Sequence, residues 1–181
     1  MCKNNLLIQI EDYEKREYFI NVLSHSEKLF QSFIPLTALK LECYGTSSDV
    51  FIEYINITFE NDIINLIFFT YDTPCIEFCK RLASIYSVNI QLLYFNDQED
   101  YSGKIDIYRH QLIKNEKCSY WQGLYNFDCS VFWENVHLIF ENGTFMDILM
   151  KRGLHLIGKD FFSLKTMFDE YLICKQFEKL S

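Results

Sequence analysis

Proline and glycine are scarce, with 2 Pro and 6 Gly in 181 residues. So few breakers exclude a linker-rich or collagen-like chain. With 49% hydrophobic and 17% aromatic residues the chain holds enough apolar surface to offset its ordering entropy, which also excludes disorder. No stretch reaches the roughly 18 uninterrupted apolar residues of a membrane span, and the apolar run within the first ten residues is too short for a signal peptide. A cytoplasmic protein is expected. The length suits one main core, since single cores serve roughly 100 to 200 residues.

Cations are in deficit: 17 Lys and Arg face 25 Asp and Glu, for a net charge of −8. This weighs against sequence-independent binding to nucleic acid or an anionic membrane, because both need many Lys and Arg contacts. Cys2, Cys43, Cys75, Cys79, Cys118, Cys129 and Cys174 include no CxxC pair, and their odd number leaves at least one unpaired, as suits reduced thiols. The sequons at Asn56 and Asn142 would matter only after secretion and read as chance.

Recognisable catalytic and cofactor motifs are missing as well. There is no GxGxxG or GxxxxGK[ST] phosphate cradle and no HExxH. His25, His110, His137 and His155 are widely separated, so scattered structural or surface roles outweigh a Cys–His nucleophile pair. Cys75 and Cys79 lie one helical turn apart but lack two further ligands for zinc, and core packing is the expected role. Asp97, Glu99 and Asp100 lack the ligand series, turn glycine and terminal glutamate of an EF-hand. No enzyme activity, metal or cofactor is expected.

What is present is a succession of apolar patterns. Leu6–Ile10 reads as a strand, and Tyr13–Phe30 as a helix with Phe19, Val22 and Leu23 at helical spacing. Pro35 marks an extended connection and the segment from Gly45 to Ser48 a loop. Val50–Phe59 alternates as a strand but changes phase near Tyr54, which predicts a bulge, and it forms a hairpin with Ile63–Phe69. Thr73 and Pro74 predict the N-cap and first position of a helix running to Tyr86. Two more alternating runs, Val88–Tyr94 and Lys104–Tyr108, make a second hairpin. The fold class is therefore α+β: a ferredoxin-like split βαβ antiparallel sheet over residues 1–115, with a C-terminal helical appendage over 116–181. Within the appendage, helix is predicted near Phe145–Lys151 and again after an Asp160 N-cap.

Three short patterns occur in fixed order: Gly45-Thr46-Ser47-Ser48-Asp49, then Phe68-Phe69-Thr70-Tyr71-Asp72-Thr73-Pro74-Cys75, then Tyr94 through Tyr101 to Gly103. With them, residues 4–113 resemble the ferredoxin-like family of phage and plasmid proteins typified by YubB. Those proteins carry a Lys-Trp after the first Gly-Thr, a Trp in the second pattern, and Glu and Gly in the third, where this chain has other residues. The resemblance implies a fold and a mobile-element origin, not a reaction.

The most unusual feature is a second deficit. Between Lys40 and Lys80 stand Glu42, Asp49, Glu53, Glu60, Asp62, Asp72 and Glu77, with no Lys or Arg. Solvated edges and loops are the simplest reading. The sharper one is an acidic surface, comprising Glu42, Asp49, Glu53, Glu60, Asp62 and the loop acids Asp97, Glu99 and Asp100, that docks on a basic host or mobile-element protein. Such a partner fits a non-enzymatic inhibitor of a host nucleic-acid-handling or defence complex such as CRISPR. The competing readings are an enzyme of unrecognised type or an RNA-binding sheet offering Tyr54, Phe59, Phe68 or Tyr94 for stacking.

Overall fold

The structure, a computed structural model, describes residues 1–36, 39–128 and 132–133. The chain divides into two compact units, Met1–Lys117 and Cys118–Ser181. The first is α+β, with a single six-stranded antiparallel sheet.

Strand β1 (Cys2–Gln9) leads into helix α1 (Tyr13–His25), whose N-cap Asp12 accepts a hydrogen bond from the Lys15 amide at 2.9 Å. This is the helix expected from periodicity, but it stops earlier. Glu27–Leu29 pairs instead with the Val50–Ile52 segment, through Leu29 N to Val50 O at 2.8 Å and Ile52 N to Glu27 O at 2.9 Å. Two short helices follow, α2 (Leu29–Phe33) and α3 (Lys40–Tyr44).

The predicted strand over Val50–Phe59 is only half strand. Ile52–Tyr54 forms a 3-10 turn, closed by Tyr54 N to Phe51 O and Ile55 N to Ile52 O, so the change of phase is a turn and not a bulge. Strand β2 (Asn56–Glu60) then pairs with β3 (Ile63–Thr70). Helix α4 (Ile76–Tyr86) returns across the sheet to β4 (Asn89–Asn96) and β5 (Tyr101–Tyr108). Arg109 and His110, with φ of 48° and 69°, turn the chain left-handed into β6 (Gln111–Cys118).

Neighbouring strands run β2-β3-β1-β4-β5-β6, so β1 is central. The register places Leu66, Leu6, Leu92 and Ile105 in one row, and Ile64, Ile8, Ile90 and Ile107 in the next. All eight are buried on the same face. Phe19 and Leu23 of α1, and Phe78, Cys79, Leu82 and Ala83 of α4, complete this core. Toward the end of α4, Tyr86 is half-buried and Ile85 is exposed.

In the second unit, helix α5 (Tyr120–Phe127) starts at the Ser119 cap, and the Trp121 and Tyr125 rings meet Phe132 at 6.1 and 5.4 Å. The helices predicted near Phe145 and after Asp160 lie outside the described residues.

Tyr94 and Gly103 are direct partners across the second hairpin, and a Cβ at Gly103 would overlap the Tyr94 phenol and the Glu116 carbonyl. The glycine leaves the space the ring fills. Gly103→Ala is therefore expected to cost about 1–3 kcal/mol, as overpacking does. A urea denaturation midpoint equal to that of the parent protein would show that the ring does not occupy this space.

Candidate functional site

The three sequence patterns that carry the resemblance meet at one end of the sheet. Gly45 ends α3 in a left-handed conformation, φ 78°, and a Cβ there would sit 3.2–3.3 Å from the backbone that opens α4. Beside it the Thr46 hydroxyl donates to Asp72 Oδ1 at 2.9 Å, and the Thr73 hydroxyl donates back to the Gly45 carbonyl at 2.5 Å. Tyr101, from the third pattern, donates to the Asp72 carbonyl at 3.1 Å and receives Asn96 Nδ2 at 3.3 Å. Asp72 thus ties together three segments distant in sequence.

Beneath it lies a buried polar layer. Asn4 donates to Thr70 Oγ1 at 2.9 Å and to the Cys2 carbonyl at 3.0 Å, while its Oδ1 accepts from the Cys75 amide at 3.4 Å. Thr73 was expected to cap α4 through its side chain. Instead α4 begins later, at Ile76 after Cys75; the Thr73 hydroxyl goes to Gly45, and Asn4 of β1 takes the Cys75 N–H.

The electrostatics of this layer are those of a fastening. Burial disfavours charge on Asp72, but donation from Thr46, Thr73 and Ser47 outweighs it and holds the carboxyl below its ordinary value. Burial pushes the Cys2 thiol up to about 11 and Tyr101 to about 12, and drives Cys75 well upward. Thiols held protonated in this way are poor nucleophiles and poor metal ligands. Among the described residues, no three His, Cys, Asp or Glu side chains are grouped to hold a metal ion, and no disulfide joins the cysteines.

The acidic residues singled out from the sequence are dispersed. Asp49 is a structural cap: its carboxylate accepts from the Phe30, Gln31 and Val50 amides at 2.7–2.9 Å. Glu42 is exposed on α3. Asp97, Glu99 and Asp100 are exposed in the β4–β5 turn, whereas Glu60 and Asp62 flank the β2–β3 turn at the other end of the strands. Asp62 receives Gln9 Nε2 at 2.9 Å, and Arg16 donates to the neighbouring Asn61 carbonyl. Glu53 lies in the 3-10 turn, separated from Glu60 by the whole of β2.

What the structure does assemble is an edge. Among the described residues β2 ends the sheet, and Asn56, Thr58, Phe59 and Glu60 are all exposed. Glu53 and Glu60 frame it and enter none of the ion pairs among the described residues. Tyr54, 72% exposed, and Phe59, 49% exposed, add aromatic surface, while Lys28 is drawn to Phe51 at 5.2 Å from the ring centroid. The face of the sheet opposite the core holds a hollow of about 380 Å³ lined by Leu7, Ile63, Gln91, Asp106, Tyr108 and Ile113. Of the four aromatics considered for base stacking, Phe68 and Tyr94 are buried in the core.

Asp72→Ala should cost about 1–3 kcal/mol by orphaning its donors. Because the folded pKa is depressed, the Asp72 contribution is complete above the ordinary 3.8 and is lost as pH falls below it, so parent and variant stabilities should converge in acid. Thiol alkylation mapped by mass spectrometry should spare Cys2, Cys43, Cys75 and Cys79 in the native protein, and stability should fall as pH rises from 9.0 towards 11, through the raised Cys2 value. Rapid native alkylation of Cys75 would contradict the sealed layer.

No family model, curated protein or solved structure matches the chain, and its own surfaces carry the functional reading.

Proposed function

We propose that this chain is a non-enzymatic binding protein of phage or other mobile-element origin. It docks through acidic surface on a basic host protein and inhibits a nucleic-acid-handling or defence complex such as CRISPR. The observation that carries the docking is the β2 edge: open backbone, exposed aromatics, a glutamate at either end, and no Lys or Arg between positions 40 and 80. Aromatics at the centre of an interface supply much of its affinity, and like-signed charges around them steer an oppositely charged partner. The mobile-element origin rests on the resemblance of the three patterns, and the inhibitory role on that origin taken together with the acid-only stretch.

The same reading assigns the sheet to the ferredoxin-like split βαβ class. The succession β1-α1-β2-β3-α4-β4 with β4-β1-β3-β2 as neighbours supports it, β5 and β6 then extending the β4 side.

RNA binding is the weaker alternative on physical grounds. Across the face opposite the core, the central strand offers Lys3, Asn5, Leu7 and Gln9, none of them a stacking ring, and the net charge of −8 opposes a polyanion.

A pull-down from host lysate tests the class of partner: a basic protein is expected, and capture of RNA alone would reverse the order of the two readings. With the partner in hand, replacing Glu53, Glu60 and Asp62 by Lys should slow association several-fold at low salt and flatten its salt dependence, while the folded fraction is unchanged. An association rate identical to the parent's would leave these acids as solvated surface.

A further inference from the structure

The two edges of the sheet are built differently. β6 carries Lys114, Glu116 and Lys117 within the strand, with Lys114 Nζ 3.0 Å from Glu116 Oε2. Charged side chains, lysine above all, are the usual protection of an edge against another strand. β2, Asn56-Ile57-Thr58-Phe59-Glu60, has no lysine, no proline and no charge before its final residue, and its burial pattern leaves four of the five side chains exposed. Its partner on the inner side is β3 in unbroken register from Asn56 with Ile67 to Glu60 with Ile63, so its outward amides and carbonyls stand in line.

Side chains at this edge give the open backbone a preference. Ile57 and Phe59 share the core-facing side with Leu66 and Ile64, yet Phe59 remains 49% exposed, and among the described residues no strand continues the sheet beyond it. A further strand would cover that flank. Glu53 lies just before β2 and Glu60 ends it, so the charges that an added strand would meet at both ends are negative.

We propose that β2 is a strand-addition site for an extended basic segment of the partner protein, one that alternates Lys or Arg with β-branched residues. This rests on the acidic docking reading above and names its mode: backbone hydrogen bonds supply the affinity, Phe59 the apolar contact, and Glu53 and Glu60 the choice of a cationic strand. A second copy of this chain is the disfavoured occupant. Its lysine-bearing β6 laid on β2 would be a head-to-tail contact that grows into open filaments, and Lys114 already has Glu116.

The test uses the whole chain and three synthetic nine-residue peptides read by fluorescence anisotropy at low salt: alternating Lys and Val, the same with Glu for Lys, and the Lys–Val peptide N-methylated at every second amide along one edge. The expected result is binding of the first, at least about tenfold weaker binding of the other two, and slowed amide exchange confined to residues 56–60. Phe59→Ala and Glu60→Lys should each weaken the first peptide by about threefold to tenfold. Equal binding of the methylated peptide would overturn strand addition while leaving acidic docking intact. Failure of the Lys–Val peptide to bind better than the Glu–Val one would overturn both. Concentration-dependent filaments in sedimentation velocity, abolished by Lys114→Glu, would assign the edge to a second copy and overturn the proposal.

Discussion

The carboxamide of Asn4 sits fully buried in the central strand, where a polar group without partners would cost about 1–3 kcal/mol for each lost hydrogen bond. Both of its ends are therefore committed. The nitrogen holds Thr70 at the end of β3 and the oxygen holds the Cys75 amide at the entry to α4. That single side chain couples the central strand to its neighbour and to the helix that crosses back to β4. Thr70 passes the link on, donating to the Thr73 carbonyl at 2.6 Å, and Asp72 then gathers Thr46 from the loop after α3. Take away the Asn4 constraint and the turn between β3 and α4 loses the contact that fixes where the helix begins.

This chain of bonds explains why distant sequence patterns converge. Thr46 and Asp72 are 26 residues apart, and Tyr101 and Asp72 are 29 apart, so no local periodicity joins them. Loops at one end of an antiparallel sheet are nevertheless forced together once the register is set, and the row through Leu66, Leu6 and Leu92 sets it. Within the three patterns, Thr46, Asp72, Thr73 and Tyr101 supply the side chains of these bonds, and Gly45 supplies an accepting carbonyl.

Legibility from the sequence followed the reach of the forces involved. The strands at Leu6–Ile10 and Ile63–Phe69 and the helix through Phe78 and Leu82 were readable because burial on one face imprints a period on the chain. The 3-10 turn at Ile52–Tyr54 left the same broken alternation that a bulge would, and only its i to i+3 bonds distinguish the two. Helix α2 was unreadable for a different reason: five residues are too few for a period, and its N-terminal amides are satisfied by Asp49, a side chain far along the chain. Asn4, Thr70, Asn96 and Ser102 are buried polar groups whose only sequence signal was a polar residue interrupting an apolar pattern.

Electrostatics was the least legible level, because charge sums in space and not along the chain. The acid-only stretch from Glu42 to Glu77 divides into a helix cap at Asp49, a loop fastening at Asp72, an ion pair from Glu77 to Lys80 at 2.7 Å, and carboxylates at opposite ends of β2. Glu42 on α3 and the glutamates framing β2 are exposed and enter none of the ion pairs among the described residues. A field from two separated glutamates is weak by itself at physiological salt, where screening acts within about 8 Å. It gains meaning from what lies between them, an edge whose backbone and aromatic flank are open. Under the strand-addition proposal, short-range hydrogen bonding and apolar contact supply the affinity that the charges alone cannot, and the charges decide which strand is admitted.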